Sequence, residues 1–360
     1  MHIGLIVFSF YSFFLLSSVS ALSSVIAPAT PTKIAVAGAT GRTGSIVVEE
    51  LLKREGITNV VVLVRNLDKA QSCLPTDNEK LSIVKCDLGN EEDIFECLQD
   101  CDAAVWAATG FSDNPDNTWV EKFQKLFGMA LTPKQTIDYV GVPAFGKYFS
   151  GIENNEDGYD FPRVVMLSSA GVTRIEWDQS KKDRLIGASD IPIVRLNPLN
   201  ILNIKAESED RLRESGAKYC IYRPCGLNDD WPSGLRPIIS QGDVAVGRIN
   251  RKDAAKILVD CIFSTESEGK TFESVTIDGY PPAESLSKVL SSLQKDSDGA
   301  LSENVVTANY LLMQQLLPGE KQDSASLAMG QSYEQLDNNE EGRFGERGSE
   351  DAVRALQGNL

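Results

Sequence analysis

A glycine turn set between a strand and a helix constrains this chain more than any other feature. Residues 38–44 read Gly38-Ala39-Thr40-Gly41-Arg42-Thr43-Gly44, a G-x-x-G-x-x-G pattern. The apolar run Lys33–Ala37 before it predicts a short buried strand. After it, Ile46, Val47, Leu51 and Leu52 recur at helical spacing, which predicts a helix over Ser45–Arg54. In that context the first glycine permits a tight turn. The second lets backbone approach a pyrophosphate, and the third lets helix and strand pack closely. The helix N-terminus then offers N–H groups and positive partial charge to the anion. Gly38, Thr40, Gly41, Arg42, Thr43 and Gly44 are therefore the expected cofactor-binding loop.

The strand–helix rhythm continues. Strands are predicted at Val60–Val64, Leu81–Lys85, Ala103–Ala107, Val164–Leu167 and Tyr219–Tyr222, and helical patterns separate most of them. Such alternation implies a parallel sheet with right-handed crossovers. The expected fold is α/β, a doubly wound, mostly parallel Rossmann sheet. A small C-terminal lobe on the substrate side and a flexible tail would complete it. Phe111–Pro162 exceeds a simple crossover, which predicts an elaboration over the site. A helix at Ile249–Phe263, a strand at Thr271–Ile277 and a helix at Pro281–Leu293 would form the lobe. Asn304–Leu317 reads as one more helix. From Pro318 the chain is polar, with few large apolar residues, and reads as a flexible or docking tail.

Residues 1–32 contain no Asp, Glu, Lys or Arg, and Ile3–Val19 is almost wholly apolar or aromatic. The run is short for a spanning helix, and Val19-Ser20-Ala21 fits a small-residue cleavage site. Residues 1–21 read as a signal peptide, with an uncleaved anchor as the alternative. Residues 22–32, rich in Ser, Thr, Ala and Pro, are transit-like. The two-part leader resembles the presequences of algae with secondary plastids; secretion or the ER lumen is the alternative. The remaining division is a nucleotide-binding domain over 33–295, then a helical segment and tail over 296–360. No membrane insertion is expected once the signal is removed.

Composition limits the chemistry. The only histidine is His2, inside the leader. A mature chain without imidazole has no Ser-His-Asp or Cys-His triad, no histidine zinc site and no histidine base. The net charge of −16, from 51 acidic against 35 basic residues, disfavours nucleic acid and anionic membranes. Seven cysteines, an odd number without a framework spacing, suit a reducing stroma better than an oxidising exterior. Cys97-x-x-x-Cys101 lacks the further ligands a metal site needs, so no metal is expected.

Cofactor choice should show where the second strand ends. An enzyme for NAD commonly places an acid there. Here Val64 is followed by Arg65, and Arg42 stands in the loop. Two guanidinium groups suit a 2′-phosphate, so NADP(H) is expected over NAD(H). Asp87, after the third strand, would cap the next helix or accept from the adenine amine. Ala107 and Ala108 are small enough to let a cofactor lie across the strand ends.

The stretches VAGATGRTGSIVVEELLKR, VVVLVRNLDKA, VKCDLGN, DYVGV, VVMLSSAGV, KAESEDRLRESGAKYCIYRPCGL and INRKDAAKILV occur in this order between residues 33 and 263. Together they resemble the NmrA-like, atypical branch of the short-chain dehydrogenase/reductase superfamily, in its plastid NAD(P)-binding form. The resemblance implies a Rossmann fold and NADP binding. The superfamily's redox-active branch uses a Tyr-x-x-x-Lys pair and a serine at the end of the fifth strand. By that resemblance Ser168, Ser169 and Lys205 are the candidate catalytic residues, and Lys205 also holds the cofactor. The tyrosine position is Ile201, which cannot transfer a proton. Tyr139, Tyr148 and Tyr222 are possible substitutes, with Tyr139 and Tyr222 reading as packing residues. Pro224-Cys225-Gly226 is expected to turn beside the nicotinamide.

Two functions follow. One is an NADPH-dependent reductase of a small or quinone-like substrate, its proton coming from water or the substrate. The other is a catalytically silent NADP(H) sensor or scaffold of a plastid protein complex.

Overall fold

A computed structural model describes residues 30–109, 136–153, 159–197 and 200–316. Its strands are β1 (Lys33–Ala37), β2 (Asn59–Val64), β3 (Leu81–Lys85), β4 (Ala103–Trp106), β5 (Val164–Leu167), β6 (Tyr219–Pro224), β7 (Gly226–Leu227), β8 (Arg236–Ser240), β9 (Arg248–Ile249) and β10 (Lys270–Ile277). Eight form one sheet in the order β3-β2-β1-β4-β5-β6-β10-β8, and β7 pairs with β9. All pairs are parallel except β8 with β10. Strand order reverses at β1, whose neighbours are β2 and β4. In open α/β sheets that switch point opens a crevice beyond the strands' carboxyl ends.

The helices are α1 (Gly44–Lys53), α2 (Leu67–Cys73), α3 (Glu91–Cys97), α4 (Ile137–Glu153), α5 (Gln179–Arg184), α6 (Ile186–Ser189), α7 (Pro192–Leu196), α8 (Ile201–Glu214), α9 (Arg251–Ile262), α10 (Ser287–Ser291) and α11 (Glu303–Leu316). Both sheet faces are buried, as parallel strands require. Alternate residues of β1 divide between them. Ile34 and Val36 meet Val47 and Leu51 of α1 and Leu258 of α9. Ala35 and Ala37 belong to the opposite core with Trp106, Phe145 and Phe149 of α4, and Leu212 of α8.

Several expectations change. α9 and β10 belong to the main body, since α9 packs under the sheet and β10 pairs with β6. The lobe is built instead from residues 171–196, from the stretch around β7–β9, and from α11. Its core joins Trp177, Leu185 and Ile191 to Val244, Val246, Val306 and Tyr310. Thus α11 packs within the lobe, and the Tyr310 hydroxyl accepts from the Gly187 N–H at 3.2 Å. The helix expected at Pro281–Leu293 is only Ser287–Ser291. Pro281-Pro282 removes two donors and restricts the residues before each proline.

Thr32, assigned above to the transit-like segment, is already tied to the domain. Its N–H donates to Asp102 at 2.6 Å, and its carbonyl accepts from Thr58 N at 2.9 Å. Of Phe111–Pro162, where an elaboration over the site is expected, the described part contains the crossover helix α4, and residues 111–135 and 154–158 lie outside the described residues. The signal peptide, most of the transit-like segment and the tail from residue 317 lie outside the described residues. No helix among the described residues is long and apolar enough to cross a membrane.

Candidate functional site

The glycine loop follows β1 at the switch point. Gly38 has φ +80°, and a Cβ there would lie 2.5 Å from the Ala107 oxygen and the Ala108 nitrogen. It therefore supplies a left-handed turn and admits the end of β4. A Cβ at Gly44 would overlap the Gly38 backbone, so the third glycine serves packing at the helix entry. Gly41 is different. It is exposed, its φ lies outside the left-handed region, and its nearest neighbour would be the Gly38 oxygen at 3.1 Å. Thr43 caps α1 without a side-chain hydrogen bond, and no acid stands in the first turn. Nothing in the chain's own helix entry competes with an incoming anion, so these residues fit a dinucleotide pyrophosphate.

Beyond the loop, a cavity of about 660 Å³ opens between the strand ends and the lobe. Arg42, Ser168 and Ser169 line it together with Ala170, the 224–230 segment and the 245–248 segment. The sheet positions this wall. Ser168 N donates to Tyr222 O at 2.7 Å, and Ala170 N to Pro224 O at 3.1 Å. Pro224-Cys225-Gly226 lines the cavity, but it is no turn: β6 ends at Pro224 and β7 begins at Gly226. The Ser168 hydroxyl is buried beside Glu209 and makes no hydrogen bond of good geometry among the described residues. Ser169 Oγ donates to the Ala170 carbonyl at 3.0 Å.

Lys205 does not line this cavity. It lies one turn into α8, its Nζ donates to the Leu167 carbonyl at 3.3 Å, and Asp138 Oδ1 is 3.9 Å away. Ile201 opens the same helix. None of the candidate tyrosines lines the cavity. Tyr222 is fully buried, its hydroxyl paired with Ser274 at 2.6 Å. Tyr148 packs edge-on against Phe95 and Phe149. The Tyr139 ring carries the Arg211 guanidinium at 3.9 Å.

At the adenosine end, Arg65 is exposed where β2 ends. Arg42 is ion-paired to Asp229, which lies in the segment after β7. Asp87 does not cap the following helix. Asn90 does so, accepting from Glu92 N and Asp93 N, while Asp87 accepts from Gly89 N at 2.9 Å. Ala108 is buried and Ala107 half-buried against the loop.

Sequence reasoning missed four groups. Asp229 joins Arg42 to Arg251, the latter at 2.7 Å, and these contacts hold its carboxyl below the usual range, Arg251 most strongly. Arg248 of β9 and Arg251 of α9 both line the cavity. Asp138, in the quoted DYVGV stretch, accepts from Trp106 Nε1 at 3.3 Å, while Gly141 leaves room for that ring.

Behind the site runs a buried ionic network. Glu209 accepts from Arg223 and Arg213. Burial alone would raise the Glu209 pKa, but Arg223 and then Arg213 hold it below the usual range. Arg174 is fully buried and bonds Asp243, with Glu273 3.7 Å away. Burial, followed by the Asp243 charge, pushes the Glu273 carboxyl up to about 7. These residues are scattered from 174 to 273, and no local spacing signals them. All seven cysteines are free, and burial raises the thiol pKa values of Cys86, Cys101 and Cys225. No group of three or more metal-ligating side chains gathers among the described residues.

A family model described as NAD(P)H-binding matches residues 38–265. An uncharacterised chloroplastic protein of Arabidopsis thaliana is 29% identical over 255 residues, covering 68% of this chain and 76% of that one. A solved structure of a putative NAD-dependent epimerase/dehydratase from Bacillus halodurans aligns with TM-score 0.50 and 23% identity. That alignment covers 73% of this chain and all of the other. An oxidoreductase from Lactococcus lactis aligns with TM-score 0.50 and 18% identity, covering 73% and 96% respectively. At these identities the two structures speak to the fold.

Proposed function

The chain belongs to the NAD(P)H-binding family, and on that premise we propose that it is an NADP(H)-dependent reductase of a small or quinone-like molecule. One observation carries the reading: a glycine cradle with an unblocked helix entry shares Arg42 with a ligand-sized cavity at the strand ends. The nicotinamide would supply the hydride; the protein supplies binding, orientation and exclusion of water. Ser168 and Ser169, on the cavity wall, would orient the acceptor. The proton would come from water or from the substrate, since Ile201 cannot give one.

The phosphorylated cofactor is proposed on Arg65 and Arg42. Arg65 is exposed at the end of β2 and makes no salt bridge among the described residues. The Arg42–Asp229 pair is well exposed, and such pairs contribute about 0–1 kcal/mol. It can be exchanged for a phosphate at little cost. A plastid location is proposed with it, supported by the leader sequence and the chloroplastic relative.

A second reading, the silent NADP(H) sensor or scaffold, draws on Lys205. Its amine is engaged by Leu167 and Asp138 rather than turned to the cavity. Titration of the purified chain with NADPH, NADP, NADH and NAD tests the shared premise. Tight binding of the phosphorylated pair, weakened about tenfold or more by Arg65→Ala, is expected from the loss of a charge-assisted contact. Stopped turnover across carbonyls, quinones and flavins, with binding intact, would leave only the silent reading. Equal affinity for NADPH and NADH would remove the assignment of Arg65.

A further inference from the structure

The cavity is not chemically uniform. In a chain with a net charge of −16, three arginines, Arg42, Arg248 and Arg251, line it, and Arg42 and Arg251 meet on Asp229. Ile191, Leu227 and Val246 add apolar surface to the same lining. One carboxylate already occupies the basic side. Asp229 is held by Arg42 and Arg251 together, and its side chain remains half exposed. That arrangement shows that a carboxylate fits between the guanidinium groups. Its exposure means that solvent or a ligand can replace it cheaply. Arg248 and Arg251, by contrast, are largely buried, so their positive charge acts in a poorly screened setting.

We propose that this cavity takes a ligand joining an apolar body to a single anionic group such as a carboxylate, with Arg251 and Arg248 as the clamp and Asp229 as the internal carboxylate that the ligand displaces. The volume of about 660 Å³ suits a molecule of two to four fused or linked rings, within the ordinary range for ligand pockets. Apolar contact would supply burial, and the arginines would fix which end points outward. That such a ligand is reduced rests on the reductase reading; that it binds does not. The same anion chemistry could come from a cofactor phosphate, so the test must separate the two sources.

The probes are 2-naphthoate and its neutral isostere 2-naphthamide, titrated calorimetrically into the full chain with and without saturating NADP. NADP binding is measured first, in the same preparation. With NADP bound, 2-naphthoate should bind about tenfold more tightly than the amide, the contribution of charge-assisted hydrogen bonds to a guanidinium. Arg251→Gln should reduce that ratio to roughly threefold or less. Asp229→Asn should act in the opposite direction, raising naphthoate affinity roughly three- to tenfold by releasing both guanidinium groups. It changes an exposed side chain, so folding is not at stake.

Equal affinity for the two probes would overturn the proposal, as would a preference untouched by both variants. A preference that appears without NADP and vanishes when NADP binds would assign the arginines to the cofactor phosphate, which also overturns it. If NADP does not bind but the naphthoate preference and its two opposite shifts remain, the anion site stands and the reductase reading falls.

Discussion

Replacing each glycine of the 38–44 loop by alanine tests whether the three have separate roles. At Gly38 the φ of +80° costs an L-residue about 1–2 kcal/mol. The added methyl would also stand 2.5 Å from the Ala107 oxygen and the Ala108 nitrogen, both backbone atoms. Overpacking of that kind costs about 1–3 kcal/mol. The sum is about 2–5 kcal/mol, and for a domain of this size each kcal/mol lowers Tm by about 2–4 °C. Gly38→Ala should therefore melt roughly 4–20 °C below the parent. Gly44→Ala, whose methyl meets the Gly38 backbone, should fall in the same direction. Gly41→Ala carries no φ penalty and one close contact, 3.1 Å from the Gly38 backbone oxygen, so its Tm should fall by about 3 °C at most, less than that of Gly38→Ala. Its exposed methyl would stand in the path of the pyrophosphate, and NADPH affinity should drop at least about tenfold. Thermal melts by circular dichroism and NADPH fluorescence titration give the two readouts. An unchanged melt for Gly38→Ala would contradict the close loop packing. Unchanged NADPH affinity for Gly41→Ala would mean that the loop does not hold the phosphates.

Other perturbations probe the buried charges. Glu209→Gln leaves the buried Arg223 without its main counter-charge and should cost about 3 kcal/mol, visible as a lowered urea midpoint with unchanged m. Glu273 holds its proton more tightly when folded, so its contribution to stability falls as pH rises from its ordinary 4.5 to about 7. Glu273→Gln should flatten that decline in denaturation curves taken between pH 5 and 7.5; an unaltered slope would show that Glu273 does not titrate there. Glu209 and Asp243 have depressed pKa values, so the stability they contribute is present above the ordinary carboxylate range and lost as pH falls below it. Glu209→Gln should therefore also weaken the acid-side loss.

Much of the scaffold was legible because parallel strands buried on both faces are continuous apolar runs. Lys33–Ala37, Leu81–Lys85 and Val164–Leu167 are strands with the expected limits. The glycine loop could be read because each of its functions depends on a residue lacking a side chain. Edge strand β8 escaped notice: Arg236–Ser240 has a proline at its second position and is only half buried. The lobe was misassigned because its core joins Trp177 to Tyr310 across more than a hundred residues. Lys205 falls at the position implied by the resemblance, yet only packing shows its amine turned to Leu167 and Asp138.

The amino-acid sequence by itself determined the mostly parallel α/β scaffold, the glycine loop between its first strand and helix, and the confinement of histidine to position 2, because periodicity, glycine spacing and composition are local properties. The tertiary structure alone decided the shape and charge of the cavity. Arg42, Asp229, Arg248 and Arg251 come from the first crossover and from a segment two hundred residues later. Their meeting depends on how β6, β7 and β9 bring distant chain together, and Coulomb attraction acts on distance in space rather than along the chain.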